Sequence, residues 1–128
     1  MLRKRALQVA LVLTGLLYSA AIFPAVMPLI RPSPQDDTGD TMMMSLYFTL
    51  GIFLLIAVRN PSSHRSLIAF TAFSNFAHAI TMSTLGFYIP SEKVGFLIGS
   101  ALLVVIGVAL LALLPPKPTL GQYSVPAP

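Results

Sequence analysis

The chain has 128 residues, of which 55% are hydrophobic and only 9% charged, and its formal net charge is +4. A soluble domain carries about 25% charged residues, so this composition excludes an ordinary water-soluble fold and points to lipid as the solvent. Cysteine is absent, which excludes disulfides, thiolate catalysis and cysteine-ligated metal centres.

Prolines divide the chain. Proline removes a helix hydrogen bond and clashes with the preceding turn, and here Pro32, Pro34, Pro61, Pro90, Pro115 and Pro116 separate four apolar runs. The runs are Ala6–Ile30, Thr41–Val58, Ser66–Ile89 and Val94–Leu114, each near the ~20 residues that cross a bilayer core. The expected fold is all-α: an antiparallel bundle of four integral membrane helices in residues 1–114, followed by a Pro-rich cytoplasmic tail in 115–128.

Arg3, Lys4 and Arg5 precede the first run, as in a signal peptide. Its apolar stretch continues past Ser19-Ala20-Ala21 to Ile30, so a retained first span is expected. Pro24 and Pro28 are expected to kink it or end it early, with an irregular exit toward Arg31. Gly15 and Ser19 lie at helical spacing and offer a close-packing face, as do Ser45, Thr49 and Gly51 in the second run.

The loop between the second and third runs reads RNPSSHR. Pro61 stops one helix, Ser62 or Ser63 is placed to cap the next, and Arg59 and Arg65 are expected to anchor both at cytoplasmic headgroups. Arg3, Lys4, Arg5, Arg59, Arg65 and Lys117 fall on one side of the spans, against Arg31 and Lys93 on the other. All four acids, Asp36, Asp37, Asp40 and Glu92, share that second side. Excess Lys and Arg stays cytoplasmic, which puts both termini inside a cell inner membrane. Basicity is thus a topology signal, and no nucleic-acid partner is expected.

The third run is the unusual one. Thr71, Ser74, Asn75, His78 and Thr81 follow helical i, i+3, i+4, i+7 spacing and form a polar row, with Met82 beside it. Polar residues at such depth usually face a bundle interior, so the row is expected to point inward. Phe70, Phe73, Phe76, Ile80 and Phe87 occupy the other flank. A structural role would have Asn75 and His78 bonded to Thr14, Tyr18, Ser45 or Thr49 on neighbouring helices.

Two sharper roles compete with that one. His64 and His78 stand fourteen residues apart, roughly 21 Å on a helix, a spacing that resembles the haem-bearing helices of cytochromes b. A haem or other tetrapyrrole would still need a second histidine helix from a homodimer, or Met82 as the opposite ligand. A proton or small-molecule transporter would use His78, although no acid lies within a span to relay the proton. Phosphate-loop, nucleophile-elbow and HExxH motifs are missing, so no enzyme, no catalytic residue and no metal site is expected. In the fourth run, Gly95 and Gly99 form a GxxxG pair, with Gly107 further along, suited to packing within the bundle or against another chain.

The stretch MMMSLYFTLGIFLLIAVRNPSSHRSLIAFTAFSNFAHAITM, Met42 to Met82, resembles a bacterial family of small four-span proteins known only as a domain of unknown function. The resemblance rests on the methionines before Tyr47, the TLG-to-RNP run, HRSLI and the FxxxAHA pattern around His78, together with the basic, Leu-rich start from Arg3 to Leu17. It covers about half the chain and departs at Phe73, where a Trp is expected. It implies an inner-membrane four-helix protein and brings no catalytic residues. The function expected is a non-enzymatic accessory or assembly subunit of a larger membrane protein complex, with a transporter or cofactor binder centred on His78 as the alternative.

Overall fold

A computed structural model describes residues 1–117, so all but the first three residues of the Pro-rich tail lie outside the described part. The chain is helical: α1 (Leu2–Ser19), α2 (Ile22–Ile30), α3 (Thr38–Ala57), α4 (Arg65–Tyr88) and α5 (Lys93–Ala112), with short 3-10 turns at Pro61–His64 and Pro90–Glu92. α1 and α2 are two halves of one bent helix. Pro24 has no N–H for the Ala20 carbonyl and its ring crowds that carbonyl, so the backbone tightens there. Ala21 N bonds Tyr18 O at 3.0 Å and Phe23 N bonds Ala20 O at 3.2 Å, both three residues back. The helix then resumes to Ile30 in place of the irregular exit that the prolines suggest.

Three helical segments are long and apolar enough to cross a membrane: Leu2–Ile30, Thr38–Ala57 and Pro90–Ala112. By length and composition these suggest a membrane protein. α4, with 24 residues, is long enough as well, but its hydroxyls, amide and imidazole lower its hydropathy below that of the other three. It depends on its neighbours to shelter that polar face.

Two antiparallel hairpins make the bundle, α1/α2 with α3 and α4 with α5. Each closes along a seam of small residues. On α4 these are Ala72, Ala79 and Gly86, seven residues apart, facing Ser100, Leu103, Gly107 and Leu110 of α5. A Cβ added at Gly107 would lie 2.6 Å from the Phe76 ring and 3.1 Å from Ala72 O. Phe76 thus seats on a glycine, while Phe70, Phe73, Ile80 and Phe87 point outward. In the other hairpin a Cβ at Gly51 would meet Ser19 N at 2.5 Å and Gly15 O at 2.8 Å. Gly99 receives the Met82 methyl group, but Gly95 faces open space with nothing near it. Only one half of the GxxxG pair therefore packs within the bundle.

The two ends of the described residues lie together. Arg3 donates to Ala112 O and Leu114 O at 3.1 and 3.2 Å, satisfying carbonyls left open at the end of α5. Gln8 donates to Val58 O at 2.9 Å, and Arg65 Nε to Pro115 O at 2.7 Å. Arg65 is therefore half-buried as a latch on the last described residues, whereas Arg59 is exposed. Neither Ser62 nor Ser63 caps α4. The N-cap is His64, whose Nδ1 bonds Asn60 O at 2.9 Å, while Ser63 Oγ accepts from Asn60 Nδ2 at 2.7 Å. Both serines lie within the 3-10 turn Pro61–His64, which leaves His64 at the N-cap position. At the far end Asp37 caps α3, its carboxylate accepting from Gly39 N and Asp40 N.

Gly51→Ala should lower stability by about 1–3 kcal/mol, because the atoms a methyl would meet include backbone that cannot yield. Gly95→Ala should be neutral or stabilising by up to ~1 kcal/mol, since it gains helix propensity in open space. Unfolding in mild detergent, followed by circular dichroism, measures both; equal losses would refute the seam.

Candidate functional site

The site sits where the hairpins face each other, halfway along α4. The seams fix the rotation of each helix. α5 takes the Ala72–Ala79–Gly86 face of α4, which leaves Ser74, Asn75 and His78 turned toward α1 and α3. Asn75 is 1% exposed, and its Oδ1 accepts from the Tyr18 hydroxyl at 2.7 Å. Tyr18 stands edge-on to Tyr47 (centroids 4.9 Å apart), and Tyr47 edge-on to His78 (5.6 Å). A chain of polar rings thus runs from α1 through α3 to α4, in the edge-to-face geometry that aromatic quadrupoles favour.

The amide of Asn75 is half used: its Nδ2 is buried and has no partner among the described residues. Its two ends are assigned so that the Tyr18 proton is used; reversed, Nδ2 would donate to the Tyr18 oxygen, leaving the amide oxygen and the Tyr18 proton unpaired. Ser19 Oγ, pressed against Gly51, is the other buried side-chain atom without a partner among the described residues.

The polar row splits. Thr71 is fully buried but bonds back to Leu67 O at 2.8 Å, so it is occupied within its own helix. Ser74 is half-buried and lines the gap between α3 and α4. Thr81 is exposed and bonds back to Ala77 O, which corrects its placement on the inward face. At Thr81 the hairpins have spread, and the residue borders a groove instead of the core. Of the four partners open to Asn75, Tyr18 is the one used. Ser45 and Thr49 turn back on α3, to Met42 O and Ser45 O.

Between α3 and α4 lies a cleft of about 400 Å³, lined on one side by Met43, Leu46, Tyr47, Thr49, Leu50 and Phe53. Leu67, Phe70, Ser74, Asn75 and His78 line the other. Leu46 (71% exposed), Phe53 (52%) and Phe70 (63%) form its mouth. A second groove of about 470 Å³ shares Met43, Tyr47 and His78 and extends to Asp40, Thr81 and Met82.

His64 is tied into its turn at the terminal end, apart from this site. Met82 is one turn from His78 on the same helix, so the two cannot grip a tetrapyrrole from opposite faces within one chain. No group of three metal-ligating side chains forms among the described residues. Tyr18 and Tyr47 complete the site; the sequence marks Tyr18 as one of four bonding options and gives Tyr47 no role. The available signal was that both lie well inside their apolar runs, away from the headgroup level where tyrosines anchor.

A double-mutant cycle over Tyr18→Phe and Asn75→Leu should give a coupling of about 0.6–1.7 kcal/mol, the range for interhelical hydrogen bonds in membranes. Strictly additive losses in detergent unfolding would show that the pair does not join the hairpins.

No curated protein and no solved structure shows significant similarity to this chain. A family model does match, over residues 2–122, which is nearly the whole length. The chain belongs to the family described as "Family of unknown function (DUF6632)".

Proposed function

We propose that this is a non-enzymatic, four-span protein of the cell inner membrane that holds a small lipid-soluble molecule in the cleft between α3 and α4. One observation carries the binding role. The mouth of the cleft is continuous with the apolar exterior, while its depth is lined by Tyr47, Asn75 and His78. Its volume is in the range of small-molecule sites and too small for a partner helix, which is about 10–12 Å across with its side chains. A ligand reaching this cleft comes sideways, from lipid.

The membrane setting rests on the exposed apolar side chains along the long helices, including Leu13, Phe23, Leu46, Phe73 and Val105. α4 crosses by sheltering its polar face against the other helices. Both ends are assigned to the cytoplasm because six of the eight Lys and Arg residues group with them. Reporter fusions after Lys117 and within 32–37 should report cytoplasmic and external locations respectively; the reverse pattern would overturn the orientation.

A second reading, an accessory or assembly subunit of a larger membrane complex or a homodimer, has one observation in its favour. Gly95 on the outer face of α5 has open space above it, beside exposed Val94 and Ile98. Close helix approach in lipid uses such positions.

The binding reading is tested with an apolar diazirine photoprobe on the full chain in nanodiscs. Labelling of Met43, Leu46 and Phe70 should saturate and should be lost in Leu50→Trp, which fills the cleft. Labelling of outer-face residues such as Val105 should stay proportional to probe. Proportional labelling everywhere would mean that the cleft is ordinary lipid-facing surface.

A further inference from the structure

The amide of Asn75 narrows the ligand to one chemical class. We propose that the cleft takes a neutral, planar carbonyl compound of the quinone class, whose carbonyl oxygen accepts from Asn75 Nδ2. This rests on the binding role argued above and adds the chemistry of the ligand.

Four observations lead there. Asn75 lines the cleft, is almost wholly buried, and has a donor with no acceptor. A buried amide N–H in that state is rare in folded proteins and points to an absent partner. That partner must be an acceptor, because Tyr18 already uses the amide oxygen. It must also be neutral. Among the described residues no carboxylate, lysine or arginine lines the cleft, and His78 is the one side chain there that can carry positive charge, so a charged head would be buried with no permanent counter-ion.

The third observation is shape. Rings of Tyr47, Phe53, Phe70 and His78 border the cleft, and flat apolar bodies pack well against such faces and edges. The fourth is exclusion. A hydrocarbon tail has no acceptor to offer Asn75, and a partner helix has its carbonyls committed to its own backbone. A monoacylglycerol ester has the acceptor but no flat body.

The test uses the full chain in nanodiscs, with the photoprobe of the previous section as reporter and three competitors. A decyl-substituted benzoquinone should displace the probe from Met43 and Phe70 at concentrations about tenfold lower than decylbenzene, which has the same tail and no carbonyl. Asn75→Leu should abolish that difference. Gly51→Ala, which weakens the bundle at a seam that does not line the cleft, should retain it and so separates loss of the donor from loss of the bundle. Equal displacement by the two compounds in the unmodified protein would overturn the proposal. So would stronger displacement by a monoacylglycerol, or selectivity that survives Asn75→Leu. If probe labelling of the cleft never saturates, the binding role itself fails, and the ligand assignment with it. Saturable labelling without quinone preference fails the assignment alone.

Discussion

Backbone proximity at small residues is the constraint on which the rest of this bundle depends. In lipid, apolar side chains gain nothing by leaving the solvent, so helices associate where their backbones can approach. α1 and α3 meet where Gly51 lies under Ser19 and Gly15, and α4 and α5 meet along Ala72, Ala79, Gly86, Ser100 and Gly107. α3 and α4 have no such seam. Their facing surfaces carry Leu46, Tyr47, Phe53, Leu67 and Phe70, which hold the backbones apart, and the cleft is the consequence.

The same constraint decides what the polar groups do. Once α5 has claimed the small face of α4, Asn75 is rotated toward α1 and finds the Tyr18 hydroxyl. That hydrogen bond and the Tyr18–Tyr47–His78 ring contacts join the two hairpins through the middle. At the terminal end Arg3 and Arg65 latch the start of α1 and α4 to the end of α5. The hairpins are thus joined at one end and at mid-height, and they spread toward Asp40, where the second groove runs. A bundle joined in this way can admit a molecule from the side without separating its helices.

This arrangement bears on why the polar row is kept. Thr71 and Thr81 bond only their own helix, Ser74 borders the cleft, and Asn75 holds a bond across helices while keeping one donor unused. A purely structural row would pair both halves of the amide, because an unpaired buried polar atom costs about 1–3 kcal/mol. The unpaired nitrogen is the feature that packing alone does not account for.

The sequence by itself determined the helices, and their periodicity marked the polar row. Proline removes a backbone donor, and Pro32, Pro61 and Pro90 stand between helices, although Pro28 is accommodated inside α2; hydropathy alone marks three segments as membrane-length. The close approach of Gly15, Ser19 and Gly51 was legible too, since absent side chains announce where backbones can meet. Tertiary structure decided which residues of the row face inward. Thr81 lies outside and Gly95 is off the seam, because each helix's rotation follows from its best small-residue fit with one neighbour, a pairing between residues far apart in the chain. Tyr18 was one of four possible partners for Asn75 until that rotation was set. The gap between α3 and α4 was invisible in the sequence for the same reason: it is where two well-packed hairpins lack a third seam.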